Sequence, residues 1–410
     1  MKAKEAKPKV PNALPKGMPK GAKMLRPKGA RHPIDVPKGV WHLLDVTPSL
    51  RYPSIMRRPR REQFDPARHP WLHCTSRCVR KAFLCGGKDG RYDHRRQWVE
   101  DRLRLLAGAF AVEVASYAVM SNHFHVVLRM LPGTVGAWSA AEVVRRWWTA
   151  YPPSSLPDGT PVLPPEAAIQ ARAQDAVWVG ERRKRLGELQ WFMKTLKEGV
   201  SRRANREDEV TGTFWQARFH SVVLLDQAAL VACMAYVDLN PIRAKMADRP
   251  ERSAHTAVRQ RIRARQRHRT ATRIRERLRG PAAERALAKA GVAEVLPRHA
   301  EDGAWVAPLA RCVAGGRACS VDDYLTLVDR TGRWLRAGKR GAIPAELAPI
   351  LARLDLRVDD WIATMAGWRQ FLGVAVGHHA GRVLDAAARG LVRVRHTCAL
   401  FVRGRDDAAA

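Results

Sequence analysis

The chain has 410 residues, 46% of them hydrophobic, and carries 73 Lys and Arg against 39 Asp and Glu, a formal charge of +34 with a pI near 11.0. Such a chain can bury a good core in two or three units, and base bias toward Arg does not account for an excess this large. It points to a polyanion, nucleic acid above all, because each phosphate contact releases counterions. No run of about 18 apolar residues is present to span a membrane, the basic N-terminus lacks the apolar stretch of a secretory signal, and cysteines at 74, 78, 85, 233, 312, 319 and 398 include no CxxC pair. A zinc framework is thereby disfavoured, and thiols in a reducing cytoplasm are the expectation.

Residues 1–61 hold 16 Lys and Arg and three acids, with repeated Pro-Lys-Gly steps. This composition predicts a disordered basic arm over 1–62, either a solubilising tail or a nonspecific DNA contact. From Trp71 the texture changes. WLHCTSRCV (71–79) reads as a strand, and DHRRQWVEDRLRLLAGAFA (93–111) as a helix with Trp98, Leu103, Leu106 and Phe110 near helical spacing. VEVASYAVM (112–120) and HFHVVLRM (123–130) form a hairpin about Ser121-Asn122. Residues 131–182, with YPPSSLPDGTPVLPP, read as an insertion or long loop.

A helix returns over 181–206, with Leu186, Leu189, Phe192, Met193 and Leu196 as its apolar stripe, and ARFHSVVLL (217–225) is a further strand. Asp226 is placed to N-cap the helix QAALVACMAYVDL, which Asn240-Pro241 ends or kinks. The order over 63–255 is that of an α+β fold with a ferredoxin-like split β-α-β core: an antiparallel sheet with helices on one face, and a last helix free to cross the other. Residues 259–279 carry ten Arg and one acid, so 256–299 is a charged helix or linker able to meet phosphate in either form. Residues 300–410 read as a small helical C-terminal domain.

Within SNHFHVV (121–127), alternation puts His123, His125 and Val127 on one strand face and the apolar Phe124, Val126 and Leu128 on the other. The apolar set faces the helices, so the imidazoles fall on the open side. Two neutral imidazoles can hold a divalent ion while leaving positions open, which suits catalysis better than a closed structural site. Tyr236 and Asn240, four apart on the last helix, share a face. If that helix crosses the open side, they bring a phenol and an amide oxygen toward the histidines.

YAVMSNHFHVVLRM, TGTFWQARFHSVVLLD and AYVDLNPIRAKM, taken together over roughly 71–246, resemble the REP-associated tyrosine transposases, single-tyrosine members of the HUH endonuclease superfamily. The resemblance implies that His123 and His125 bind Mg²⁺ or Mn²⁺, with Asn240 as third ligand, and that Tyr236 attacks a DNA phosphate. It also implies nicking and rejoining of single-stranded or hairpin (REP-like) DNA through a 5′-phosphotyrosine. The basic arm and the chain beyond about 255 lie outside what it covers. The chemistry agrees with the residue types: a phenol with a pKa near 10 is a weak nucleophile at neutral pH, and a bound cation polarises the phosphate and orients the attack.

Arg77, Arg80, Lys194, Lys197, Trp215, Gln216, Arg218 and Arg243 are candidate DNA contacts, with an aromatic beside a cation suited to stacking a base and holding a phosphate. Solvated surface is the plainer reading for the basic residues, the core equally so for Trp215 and Phe219, and a helix-end contact for Arg243. His73 and Tyr117 read as structural, and His378-His379 as incidental. Two other functions compete: a noncatalytic DNA-binding regulator derived from such an enzyme, and an RNA-binding sheet, which lacks an aromatic RNP-type strand. The expected setting is cytoplasmic and nucleoid-associated, without membrane, as a monomer rather than a homodimer.

Overall fold

A computed structural model of the chain describes residues 64–87, 90–156, 160–295, 305–312, 319–337, 351, 358–368 and 375–377. The predicted basic arm and His378-His379 lie outside them. Strand alternation organises everything else. β1 (Trp71–Arg77), β2 (Val112–Val119), β3 (His123–Met130) and β4 (His220–Leu224) pair antiparallel in the order β2-β3-β1-β4. A short β5 (Ala375–Val376) joins β4 in parallel, giving a mixed five-stranded sheet in a fold of both helices and strands.

One face carries Leu72, Cys74, Val114, Phe124, Val126, Leu128 and Val223. It is covered by α1 (His94–Ala109), through Val99, Leu103 and Leu106, and by a later helix, α5, described below. Between them the chain over 131–182, which the sequence reads as an insertion or long loop, is largely helical: α2 (Ala140–Ala150), α3 (Glu166–Ala173) and α4 (Ala176–Leu186) frame a two-residue ribbon of Ser154–Ser155 with Pro161–Val162. Its Pro-rich stretch supplies only the ribbon. Ser139 and Asp175 N-cap α2 and α4 by accepting from Glu142 N and Trp178 N. The helix expected over 181–206 is two helices, because α4 stops at Gly187 and α5 (Leu189–Glu207) starts anew. Leu189, Phe192, Met193, Leu196 and Val200 of α5 keep the helical spacing that faces the sheet.

The other face carries Ala118, Val127, Val222 and Leu224. Across it lies α6 (Gln227–Asp238), in which every residue from Ala228 to Asp238 is buried. A helix apolar all round needs cover on every side. Here the sheet supplies one side, and the rest comes from α8 (Ala257–Arg277), α11 (Val321–Ala337) and α12 (Val358–Gly367), with Val258, Tyr324, Leu327, Val328, Trp361 and Met365 in the same cluster. Further helices among the described residues are α7 (Asn240–Arg243), α9 (Gly280–Lys289) and α10 (Leu309–Cys312). The described residues beyond 300 share the core of the sheet, and the rest of the small helical domain expected over 300–410 lies outside the described residues. The Arg-rich stretch is a helix, not a linker.

The six described cysteines are buried thiols, and among the described residues no helix is long and apolar enough to cross a membrane.

Candidate functional site

Antiparallel register sets the site. Residues paired across neighbouring strands point to the same side, so Ala118, His125, Thr75 and His220 form one row across β2, β3, β1 and β4. Val127, His73 and Val222 form the adjoining row, and His123 opposite Arg77 begins the next. Four histidines and Arg77 thus share the face that α6 crosses. His220 is absent from the sequence reading, although alternation with Val222 and Leu224 would have assigned it to this side.

Tyr236 descends onto this face. Its ring lies edge-on to His125, with centroids 5.8 Å apart, and to His73 at 6.3 Å. His123 in turn lies edge-on to His125 at 4.9 Å. His73 Nε2 and His125 Nδ1 share a hydrogen bond of 2.9 Å. Burial, with a smaller contribution from His220, lowers the His73 pKa to about 3, so this ring is neutral at any ordinary pH. His73, expected to be merely structural, is thus the direct partner of a candidate ligand.

A divalent ion needs imidazole nitrogens that keep a lone pair. Asn122 Nδ2 donates to the Lys81 carbonyl at 3.0 Å, which orients the amide and turns Oδ1 toward His123 Nδ1 at 2.6 Å. An amide oxygen only accepts, so Nδ1 of His123 carries the proton and Nε2 keeps its lone pair. His125 takes the equivalent form when its Nδ1–H donates to neutral His73. An imidazole held from behind by such a bond is the usual arrangement of a metal-bound histidine. Asn240 is buried and its Nδ2 donates to the Tyr236 carbonyl at 3.0 Å, which leaves Oδ1 as its ligand atom. Among the described residues no group of three or more His, Cys, Asp or Glu could hold a metal ion. A third ligand would therefore have to be Asn240 or the substrate. By tautomer, the two imidazoles suit a divalent ion.

Tyr236 is only 2% exposed. Trp368 stacks on its ring at 5.3 Å, and the Arg243 guanidinium lies 5.4 Å from the ring centre while donating to the Met365 carbonyl. The C-terminal elements thus cover the phenol. Two residues on, Asp238 accepts from Ser116 Oγ at 3.0 Å, Tyr324 OH at 2.5 Å and Val258 N at 3.1 Å. Burial raises its pKa to about 6 against the pull of Arg261 and these donors. This buried knot fixes α6 to β2, α8 and α11.

The remaining candidates divide. Arg77, Arg80, Gln216 and Arg218 are exposed. Gln216 N donates to Arg77 O at 2.8 Å, tying the 214–216 segment to the end of β1. Arg80 adopts φ 52°, an uncommon left-handed conformation for a residue with a side chain. Trp215 is core and not a stacking surface: it is 6% exposed, edge-on to Phe124 at 5.4 Å, and donates to Lys197 O at 3.0 Å. Lys197 donates to the Ala217 carbonyl, and Lys194 covers Trp191; both lie on α5, across the sheet from Tyr236. Comparison with protein-family models, with curated proteins and with solved structures finds no match for this chain.

Proposed function

We propose that the chain is a metal-dependent, single-tyrosine DNA nicking and strand-transfer enzyme of the HUH type, akin to the REP-associated tyrosine transposases and acting on single-stranded or hairpin DNA. One observation carries this reading: the Tyr236 ring meets His125 edge-on at 5.8 Å, with His123 behind it, on a sheet face built from separate segments of the chain. The strand order β2-β3-β1-β4 is also that of a ferredoxin-like split β-α-β core, as the HUH reading requires.

His123, His125 and Asn240 would hold Mg²⁺ or Mn²⁺, which when bound supplies a Lewis acid that polarises the scissile phosphate. The chain's own residues do the rest. The Tyr236 phenol oxygen forms a bond to phosphorus as the P–O3′ bond breaks. The phenol proton is lost and the 3′ oxygen gains one, leaving a 5′-phosphotyrosine and a free 3′-OH. The ester bond is conserved in that link, so rejoining by the reverse attack needs no ATP. His73 holds the His125 ring in one tautomer, and Arg77, exposed at the rim of the same face, meets the incoming backbone. Trp368 must move aside before a phosphate reaches the phenol.

The test is a labelled hairpin DNA incubated with the protein and Mn²⁺, then run on a denaturing protein gel. A covalent adduct that Tyr236→Phe abolishes, and that His123→Ala and His125→Ala abolish while largely sparing DNA affinity, is the expected result. The burial of Tyr236 beneath Trp368 favours a second reading, a noncatalytic DNA-binding regulator. DNA retention without any adduct, across varied hairpins and metals, would establish it and end the first.

A further inference from the structure

The Arg-rich helix α8 is the most basic element of the fold, and the proposed chemistry makes no use of it. Arg259, Arg263, Gln266, Thr270, Arg273 and Arg277 follow one another at steps of four, three, four, three and four residues, so they form a single stripe along the helix. The stripe spans about 27 Å at 1.5 Å per residue. All six are hydrogen-bond donors, and all but the half-buried Arg259 are exposed. Glu276, the only acid in α8, lies about 100° round the helix from Arg277. Among the described residues, none of the four stripe arginines takes part in an ion pair.

The opposite side of α8 is fastened. Val258, Arg261, Ala264 and Ala271 are buried, Arg261 donates to the Ala307 carbonyl at 2.8 Å, and Arg265 pairs with both Asp322 oxygens. Thr256 caps the start of the helix, and Val258 N donates to Asp238, two residues from Tyr236. The stripe is therefore a rigid array of cations held in fixed relation to the tyrosine helix.

We infer that this stripe binds the backbone of double-helical DNA. Each strand of a duplex carries one charge per about 3.4 Å of axis, so a segment as long as the stripe holds about 8 phosphates of one strand, enough for its four arginines. The stripe has no aromatic side chain, which single-strand platforms use to stack bases. It is also not an amphipathic membrane helix, because its apolar positions are already packed against the protein. The inference shares the DNA partner with the proposed function, but not its chemistry.

The test uses the full chain and a 20-base-pair DNA of arbitrary sequence, with binding followed by fluorescence anisotropy from 50 to 200 mM KCl. Replacing Arg259, Arg263, Arg273 and Arg277 together by Gln keeps good helix formers at exposed positions. It should lower the log–log salt slope by about 3 to 4, near 0.9 per lost phosphate contact, and weaken binding at least tenfold. The four-lysine variant should restore most of the slope. An unchanged slope and affinity overturns the inference, and so does an equal loss on an unstructured single strand or a loss confined to duplex RNA. The two proposals separate cleanly. The glutamine variant should still form the Tyr236 adduct on an unstructured single strand, and Tyr236→Phe should bind duplex normally. If adducts form and the slope does not move, only this inference falls; if the slope moves and no adduct ever forms, only the enzyme falls.

Discussion

At the scale of single residues, His73 is a side chain with no access to solvent that meets a proposed metal ligand. It is fully buried, uncharged, and bonded to His125 at 2.9 Å. Removing that bond while keeping a flat ring of similar size, as in His73→Phe, should weaken Mn²⁺ binding about 10- to 100-fold, the usual loss when the partner behind a metal-bound imidazole is deleted. Calorimetric titration with Mn²⁺ checks this, and unchanged affinity would return His73 to a packing role. Glu100 supports a second test. Burial pushes its pKa up, but hydrogen bonds from His255, Tyr117 and Gln260 outweigh burial and hold it below the ordinary value. A depressed carboxylate contributes stability above its unfolded pKa and loses it as pH falls through the folded one. Glu100→Gln should therefore cost about 1–3 kcal/mol at pH 7 and flatten the loss below about pH 4.5, as read from urea unfolding at several pH values.

At the scale of elements, alternation in β1 and β3 and the 3.6-residue stripes of α1 and α5 were legible because each buries one side only, and period reveals which. His123 and His125 were assigned to the correct face by this argument alone. His220 was open to the same argument through its alternation with Val222 and Leu224, whereas His73 gains a partner only once the register of β1 with β3 places it beside His125. Over 131–182 the long-loop reading missed short helices because prolines drew attention from them, although their caps, Ser139 and Asp175, were in plain view. Trp215 was undecidable, since core and stacking surface ask for the same residue. The cap of α6 was legible and is measurable: Asp226 accepts from Ala229 N at 2.8 Å. Asp226→Ala should cost about 0.5–2 kcal/mol and Asp226→Asn much less, with equilibrium denaturation as the readout. Equal losses in both would locate the effect in charge, not capping.

At the scale of the whole molecule, α6 decides how many units unfold. It is apolar on every side, so neither the sheet nor the C-terminal helices can retain it alone without exposing its other flank. The sequence suggests a small helical domain after 300 because the chain is apolar and helical there, but such a pattern does not say which partner covers α11. The partner is α6 and α7, and the approach is close: a Cβ placed on Gly332 of α11 would meet Leu239 Cδ2 at 2.9 Å. One cooperative transition is the consequence. Leu327→Ala, a fully buried site on α11, should cost about 2–5 kcal/mol and should lower hydrogen-exchange protection in β3 and α11 alike. If α11 alone lost protection while the His123–Met130 strand kept it, the C-terminal helices would be a detachable cover. The seal of Trp368 over Tyr236 would then open without unfolding the sheet. If both lose protection together, exposing the tyrosine requires a local displacement around Trp368, and the cover is otherwise integral to the core.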